Sequence, residues 1–310
     1  MLRIKRENLL QTTKKTGAHL LIRFMLYLIL CGLSFVFLYP FIFMLVTSFK
    51  SYDDIMNVTI KWIPREFSPG NWKIAFETLN VKTTFFNSLF VCSFCVLGHL
   101  LSCSFVAYGF TRFEFKGRGA LFLVVVFSII VPVQTISVPL YMLYSRLNWV
   151  DSYLPLIVPT FLGMGLQGGL IIFIFRQFYV RLPKSLEEAA YIDGCNEYTT
   201  FFRIILPTAS PTILVSFVLS MVWHWNDYFE PGIYISQEKR FLMPQLLPSM
   251  YSFFENLMKA TSQQDLELAT RYHEGVVIAG TAICILPLLI MYISVQHKFM
   301  ESIGRTGIVE

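Results

Sequence analysis

The side chains best suited to recognising a partner lie in one short stretch. Ser185, Glu187 and Glu188 are followed at once by Ala189 and Ala190. Serine is a favoured helix N-cap, and a glutamate three residues later completes a capping box, so we expect a helix capped by Ser185 with Glu188 in its first turn. Carboxylates there also favour the helix N-terminus. The small alanines let another surface approach, which indicates docking chemistry rather than catalysis.

The residues after these alanines predict a turn and a second helix. Gly194, preceded by Asp193, can end the first helix, and Asn196 can cap a short helix that runs to Leu206 and Pro207. We therefore expect a compact helix–turn–helix that presents a docking surface. A purely local interpretation stays open, in which the glutamate only caps its own helix and the glycine is an ordinary helix end.

Catalytic and cofactor-binding patterns are weak in this sequence. Cys92 and Cys95 form a Cys-x-x-Cys pair, but they lie in an apolar stretch without histidine or carboxylate neighbours. We interpret them as packing thiols rather than a metal or redox site. The five histidines are dispersed, and the sequence lacks the glycine-rich phosphate loop of ATP-hydrolysing proteins. We therefore expect no metal site and no cofactor in this chain.

Composition indicates that these residues are positioned by membrane-spanning elements. Of the 310 residues, 55% are hydrophobic and only 15% are charged. A soluble domain usually carries about 25% charged residues to solvate its surface. The formal net charge of +5 is small and its basic residues are scattered, so nucleic-acid binding has little support. The chain is therefore predicted to be a polytopic membrane protein.

Six long stretches contain no Asp, Glu, Lys or Arg, and each can cross a bilayer, which takes roughly 20 apolar residues. The predicted spans are about 24–46, 86–110, 119–144, 154–175, 207–226 and 275–297. These lengths predict an all-α integral membrane protein with six transmembrane helices. Residues 1–23 would form an N-terminal segment before a membrane domain at 24–310. The 30 phenylalanines are interpreted as packing surface and as contacts with membrane lipid.

Basic residues predict the orientation. Six spans put both termini on one side, and lysine and arginine are about twice as dense there as on the other side. That side is predicted to be cytoplasmic and to include the loop 176–206. The segments 47–85 and 227–274 would then lie outside. We expect a multi-pass protein of the cell membrane with cytoplasmic N- and C-termini.

The predicted cytoplasmic loop carries a specific signature. Glu188-Ala189-Ala190 is followed by three residues, Gly194, nine residues, and then Ile204, one residue, Leu206 and Pro207. At every fixed position this pattern resembles the E-A-A signature of binding-protein-dependent ABC importer permeases. Asp193 before the glycine resembles the carbohydrate-uptake branch, the maltose-type G-subunit family.

The likeness extends beyond this loop. Tyr39-Pro40-Phe41, the aromatic and basic turn from Tyr108 to Arg118, and Trp225-Asn226-Asp227 are similar to motifs of the same family. The chain departs from it at Gly304 to Glu310, which match the family's tail only loosely, and in the outer segment 241–275, which is longer than usual for it.

The resemblance implies a type I ABC importer permease fold and a non-catalytic role. The chain would pair with a second homologous permease subunit, and both would sit on two ATPase subunits that bind ATP and Mg²⁺. An extracellular solute-binding protein would deliver a sugar substrate, of di- or oligosaccharide size. The Arg112–Arg118 loop would anchor at the phosphate surface or make a second ATPase contact. The residues implied in ATPase coupling are Ser185, Glu187, Glu188, Ala189, Ala190, Asp193, Gly194, Leu206 and Pro207.

Polar residues within or beside the predicted spans are the candidates for the sugar path, since intramembrane polar groups are usually functional. The set comprises Asn87, His99, Gln134, Gln167, Trp223, Trp225, Asn226 and Asp227. Gln134 is favoured because it lies between Pro132 and Pro139, in a helix that we expect to be broken. His99 has an alternative role as an interhelical hydrogen bond, and the two tryptophans as interfacial residues.

Two alternatives remain open. One is a permease of the same superfamily for a non-sugar solute, against which the Asp193-Gly194 pair argues. The other is a secondary transporter or an integral membrane enzyme. A secondary transporter should show an internal repeat and usually buried charge, and an enzyme should show a cluster of histidines and carboxylates at one depth. Neither pattern is evident in the sequence.

Overall fold

The computed structural model describes residues 2–259 and 262–306, and this part of the chain is helical apart from loops and one antiparallel bridge between Lys50 and Phe67. The first half forms α1 (Leu2–Ser48), α2 (Tyr52–Met56), α3 (Gly70–Thr78), α4 (Val81–Arg112), α5 (Arg118–Ile130), α6 (Val133–Arg146), α7 (Leu154–Phe161) and α8 (Gly168–Arg181). The predicted all-α class is therefore confirmed.

The second half contains shorter elements before one long final helix. These are α9 (Ser185–Ile192), α10 (Glu197–Thr200), a π-helical turn (Phe201–Ile205), α11 (Leu206–Thr208), α12 (Ser210–Asn226), α13 (Phe229–Tyr234), 3₁₀ turns at Glu238–Arg240 and Pro244–Leu246, α14 (Leu247–Lys259), α15 (Gln263–Arg271) and α16 (Glu274–Thr306).

Three helices of the described chain are long and apolar enough to cross a membrane on their own. They cover Ile22–Ser48, Val81–Arg112 and Glu274–Phe299. Two bent pairs pass the same test when each is counted as one span, which gives up to five: α5 with α6, bent by 105°, and the helical run Glu197–Thr208 with α12, bent by 77°. The fourth predicted span, 154–175, falls on two short helices, α7 and α8, so the count of six stays a prediction.

Local sequence explains where the spans bend or break. Pro132 follows Val131, and a residue before proline is pushed out of the helical region, so α5 ends there with Val131 extended (φ −71°, ψ 117°). Between α7 and α8, Gly163 and Gly165 both have positive φ (74° and 85°), which glycine adopts without strain. Gln167 also has positive φ, at 61°. The fourth apolar stretch is therefore interrupted over residues 162–167, which we call the break.

Helix α4 is the central element of the fold. It packs against α7, α8 and α12, and it contributes buried residues to all three hydrophobic clusters. Gly98 allows the close approach to α7: a Cβ atom there would lie 2.9 Å from the Phe161 ring and 3.0 Å from its backbone nitrogen. Helices α5 and α1 lie further out, because α5 packs on α8 and α1 packs on α16.

Helix α1 lies at the edge of the described chain and packs along α16. Its side chains from Ile22 to Phe43 are exposed, although nearly all of them are apolar. A water-soluble surface rarely carries an apolar patch of that size, so lipid or another subunit must cover it. The predicted boundary between residues 1–23 and the first span falls inside this continuous helix.

The two segments assigned to the outer side have structure of their own. In the first, Asp54 is buried and accepts hydrogen bonds from the backbone nitrogens of Arg65 and Glu66, at 2.7 and 3.2 Å. Asn71 donates to the carbonyls of Ser48 and Lys50 at 3.0 and 2.8 Å. These bonds fold residues 48–71 against the end of α1. The second segment contains α13, α14 and α15.

Candidate functional site

Residues 185–208 form the predicted helix–turn–helix, which we call the E-A-A hairpin. Its first helix begins at Ser185, but the capping box is wrong. Lys184 occupies the N-cap position without a side-chain bond, and its carbonyl accepts from the backbone nitrogens of Glu187 and Glu188, at 3.0 and 3.1 Å. Ser185 is therefore the first residue of the helix and not its cap, so the helix begins one residue before its predicted start. The two glutamates still lie in the first turn, where carboxylates are favourable.

The turn between the two helices follows the sequence prediction. Gly194 has φ of 83°, its nitrogen donates to the Tyr191 carbonyl at 3.0 Å, and the Cys195 nitrogen donates to the Ala190 carbonyl at 2.9 Å. This pair of bonds is the Schellman motif, which needs a left-handed residue at that position. Asn196 caps α10 by accepting from the Thr199 nitrogen at 2.8 Å. A Cβ atom at position 194 would meet nothing within 4 Å, so the glycine serves backbone conformation rather than close packing.

The end of the hairpin carries a local irregularity at the Leu-Pro part of the signature. The Leu206 nitrogen donates to the Phe201 carbonyl, five residues back, and this bond closes the π-helical turn. Pro207 has no N–H with which to continue an α-helical ladder, which accounts for a change of register here. Leu206 is half-buried and Pro207 is exposed. These two residues shape the entry into α12.

The hairpin has one face toward the membrane domain and one face that no described residue covers. Glu187 and Ala190 are buried in α9, whereas Glu188 and Ala189 are exposed, as is Asp193. Ile192 at the tip is 87% exposed. Other large exposed side chains of the hairpin are Leu186, Tyr191, Tyr198 and Phe202. A contiguous exposed surface of this kind is typical of a protein interaction site.

A buried ion pair attaches the hairpin to α4. Arg112 Nε donates to Glu187 Oε1 at 2.6 Å, and Arg112 Nη2 donates to the Leu182 carbonyl at 3.0 Å. Both charged side chains are only 9% exposed. Breaking such a pair by removing one partner typically costs about 3–5 kcal/mol, because it leaves an uncompensated buried charge. Arg112 therefore points into the protein, and the expectation that it lies at the lipid phosphates or directly on an ATPase is wrong for this residue.

Aromatic contacts reinforce the same attachment. The Phe201 ring of the hairpin lies 5.0 Å from the Tyr108 ring and 5.3 Å from the Phe105 ring of α4, measured between centroids. Phe105 also stacks with Tyr198 at 6.2 Å. Such pairs contribute about 0.5–1.5 kcal/mol each beyond their buried area. The hairpin is thus held to α4 on both sides of its turn.

Further along α4, polar side chains satisfy the backbone groups that the break sets free. Ser102 Oγ donates to the Thr160 carbonyl at 2.6 Å and accepts from the Gly163 nitrogen at 3.1 Å. His99 Nε2 lies 2.9 Å from the Met164 carbonyl, which can only accept, so this nitrogen carries the proton. Its Nδ1 then accepts from the Ser220 hydroxyl at 3.0 Å. Buried backbone groups without a hydrogen-bond partner are costly, and these bonds supply partners for several of them.

The two glutamines of the predicted path both lie at interruptions of the helices. Gln134 is exposed just after the bend between α5 and α6, and Gln167 is exposed at the last position of the break. The interruptions are neighbours, since a Cβ atom on Gly169 would lie 2.5 Å from Ser128 Oγ of α5. In many membrane transporters the solute site is formed where helices are discontinuous.

Several other predicted path residues are engaged in the fold. Trp225 is 1% exposed, and its indole nitrogen donates to the Cys284 carbonyl at 2.9 Å. Asn87 donates to the Lys239 and Phe241 carbonyls, at 3.0 and 3.1 Å. His99 is fully buried and bonded as described above. These observations favour structural roles for the three residues, and for His99 they match the interhelical alternative.

The remaining candidates lie near the far end of α12. Trp223 is half-buried, and Asn226 is exposed and lines an open cavity of about 450 Å³. Asp227 lies just before α13, and its Oδ1 accepts hydrogen bonds from the backbone nitrogens of Phe229 and Glu230, at 3.0 and 3.3 Å.

Two carboxyl groups at this end of the protein have raised pKa values. Burial raises the pKa of Asp227 to about 6. Burial, together with the charge of Asp227, raises the pKa of Glu230 to about 8.

Metal-ligating residues do not cluster within the part of the chain that the structure describes. Cys92 and Cys95 are free and buried, and Cys95 Sγ donates to the Leu156 carbonyl at 3.3 Å. This agrees with their interpretation as packing thiols.

An all-helical membrane domain with interrupted spans and an exposed E-A-A hairpin defines a transport permease. Comparison with known protein families agrees: residues 100–297 match the model of the binding-protein-dependent transport system inner membrane component. The chain belongs to this family, whose members are membrane components of transport systems and not enzymes. The resemblance seen in the hairpin sequence is therefore confirmed.

Individual relatives cover nearly the whole chain. AraQ of Halalkalibacterium halodurans, an arabinooligosaccharides transport system permease protein, is 26% identical over 89% of this chain and 92% of its own. AmyC of Thermoanaerobacterium thermosulfurigenes, described as a probable starch degradation products transport system permease protein, is 29% identical over 87% of this chain and 91% of its own.

A solved structure shares the fold. It is the crystal structure of a bacterial ABC transporter involved in the import of the acidic polysaccharide alginate, with a TM-score of 0.70 and 20% identity. The match covers 90% of this chain and 96% of that one. At this identity the likeness concerns the fold, which is that of an all-α membrane permease.

Proposed function

We propose that this chain is the transmembrane subunit of an ATP-driven, binding-protein-dependent importer of sugars, of di- or oligosaccharide size. The observation that carries the proposal is the E-A-A hairpin, which has the family signature and exposes Ile192 beside Glu188 and Ala189. The relatives AraQ and AmyC, both described as permeases for saccharides, support a sugar as the solute. A second, homologous permease subunit would complete the translocation path.

The hairpin would dock on one of two ATPase subunits, which would bind ATP and Mg²⁺. Small Ala189 would allow close approach, Glu188 would make polar contacts, and the apolar tip would enter a groove. Hot spots of protein interfaces combine such apolar anchors with surrounding polar groups. Closure of the ATPases on ATP would then move the hairpin and, with it, the membrane domain.

We further propose a type I topology with six crossings and cytoplasmic termini. The fourth crossing would be formed by α7 and α8 together, with the break at membrane depth. The break is tolerable there because α4 satisfies its backbone groups. Residues 47–85 and 227–274 would lie outside and face an extracellular solute-binding protein.

The sugar path would run past the two interruptions. Gln134 and Gln167 carry donors and acceptors that a sugar hydroxyl can use, and both are exposed in this subunit. Asn226, at the C-terminal end of α12, would contact the solute before the solute reaches the two glutamines. The path would not be lined by Trp225, Asn87 or His99, which would instead stabilise the packing of the elements around it.

Reconstitution in proteoliposomes tests the proposal. The complex of two permease subunits and two ATPase subunits is reconstituted and supplied with its binding protein. The proteoliposomes should accumulate a labelled neutral oligosaccharide only when ATP is present. Gln134→Ala and Gln167→Ala should raise the KM for uptake about tenfold each, the typical loss for one or two hydrogen bonds to a solute, without lowering basal ATP hydrolysis. Ser137→Ala, one turn after Gln134, is the matched control. Uptake of amino acids or peptides in place of every sugar offered would overturn the assignment of the substrate.

A further inference from the structure

The E-A-A hairpin is joined in sequence to α8 and α12, and its ion pair and most of its ring contacts lie on one face of α4. Phe105, Tyr108 and Arg112 are spaced i, i+3 and i+7 along α4, so they lie on the same side of it. Arg112 holds Glu187 at 2.6 Å, and the two aromatic rings contact Phe201 at 5.3 and 5.0 Å. Movement of the hairpin therefore acts on α4 through side-chain contacts, as well as on α8 and α12 through the chain itself.

The middle of the same helix is bonded to the break. His99 contacts the Met164 carbonyl at 2.9 Å, and Ser102 holds both Thr160 and Gly163. Cys103 adds a weaker bond to the Gly168 carbonyl at 3.6 Å. The interrupted backbone beside Gln167 thus takes its position from α4.

Helix α4 is suited to connect these two places because it is continuous. It runs for 32 residues without a break, whereas α5 and α6 are bent by 105°. Arg112 and His99 are separated by thirteen residues, roughly 20 Å along a helix axis. Displacing one end of such a helix displaces the other. Helix α8, which also runs unbroken between the break and the hairpin, would move together with it.

We propose that the Arg112–Glu187 ion pair is the joint through which the hairpin moves α4 and, through α4, the break at residues 162–167. The inference rests on the proposed function, since it assumes that the hairpin is driven by an ATPase. Arg112 and Glu187 are positioning residues, because they contact neither nucleotide nor solute. A short charge-assisted hydrogen bond is directional and resists sliding, which aromatic contacts alone resist less.

The first test measures transport and ATP hydrolysis together in the reconstituted complex. Glu187→Gln and Arg112→Gln should each lower the number of sugars imported per ATP at least about tenfold, while ATP is still hydrolysed and the complex still assembles. The charge-exchanged double variant Arg112→Glu with Glu187→Arg should recover most of this ratio, because the pair is restored. Arg181→Gln, an exposed arginine at the end of α8, is the control for loss of a positive charge.

A second readout follows the break itself. Met164 is exposed, so Met164→Cys reports access at this position once the exposed Cys31 and partly exposed Cys195 are replaced by Ser. Its labelling by a membrane-impermeant thiol reagent should change when ATP is trapped in the complex. The change should disappear with Glu187→Gln and return in the charge-exchanged variant.

The possible outcomes distinguish failure of the proposed joint from failure of the proposed function. A wild-type transport ratio and a wild-type change at position 164 in Glu187→Gln would overturn the joint while leaving the importer assignment intact. A lowered melting temperature with an unchanged ratio would also overturn it, since the pair would then serve stability alone. Absence of ATP-dependent sugar uptake by the wild-type complex would instead overturn the proposed function.

Discussion

Ile192→Asp should abolish ATP-driven uptake, with an expected loss of at least about a hundredfold, while the membrane domain stays folded. The side chain is 87% exposed at the hairpin tip, so a carboxylate there costs the isolated chain almost nothing. In the complex the same carboxylate would be buried in an apolar groove without a partner, which is strongly unfavourable. Uptake by proteoliposomes and recovery of the ATPase subunits on purification measure the effect.

The control for this substitution is Ile192→Leu, which keeps apolar volume and should retain most of the uptake. Wild-type uptake by Ile192→Asp would contradict docking through the hairpin tip. Glu188→Lys probes the exposed carboxylate beside it, and we expect this variant to be inserted in the membrane but uncoupled.

Gly194 offers an independent way to disrupt the same surface. Proline cannot adopt φ of 83° and lacks the N–H that donates to Tyr191, so Gly194→Pro removes the Schellman motif. Asparagine tolerates the left-handed conformation, so Gly194→Asn should retain uptake. Equal uptake by the proline and asparagine variants would show that the shape of the turn is unimportant.

Gly98→Ala should destabilise the protein more than Gly109→Ala, the other replacement of a glycine by alanine in α4. Its Cβ would lie 2.9 Å from the Phe161 ring, 3.0 Å from the Phe161 nitrogen, and closer still to Thr160 Oγ1. Overpacking of this kind typically costs about 1–3 kcal/mol, and here backbone must move. Thermal unfolding of the detergent-purified complex measures the change.

Gly109 provides the matched control on the same helix. A Cβ atom there meets nothing within 4 Å, and alanine is the better helix former by about 1 kcal/mol, so Gly109→Ala should be neutral or stabilising. If the two alanine variants melted at the same temperature, the close packing of α4 on α7 would be contradicted.

The turn and the second helix cap of the hairpin could be predicted from the sequence, because each depends on residues that are close together in the chain. Glycine at the turn and Asn196 at the second cap each act within three or four residues, and both predictions are confirmed. Ser185 does not act as a cap because Lys184 already has helical backbone angles (φ −64°, ψ −24°), which moves the helix boundary by one residue.

The attachment of the hairpin could not be predicted in the same way. Arg112 and Glu187 are 75 positions apart, and each has other charged residues as near neighbours in sequence. Only the packing of α4 against the hairpin brings them together. An arginine at the end of a long apolar helix suggests that the arginine is paired, but it does not identify the residue with which it pairs.

The break in the fourth apolar stretch could not be predicted from the sequence either. Gly163, Gly165 and Gly168 are compatible with a membrane helix, in which glycine is common, so the stretch suggested one continuous span. The decisive feature lies on another helix, where Ser102 and His99 supply partners for the interrupted backbone. For the same reason Trp225, which looked available to a solute, is buried in the structure and bonded to Cys284.

Photo-crosslinking can show whether the E-A-A hairpin is the attachment site of a separate ATPase. A photoreactive residue replaces Ile192 in the assembled, transport-competent complex, and in a parallel sample it replaces Leu123, an exposed apolar residue of α5. We expect an adduct with the ATPase subunit from position 192 and none from position 123. A complex that imports its solute while position 192 forms no ATPase adduct would contradict this assignment.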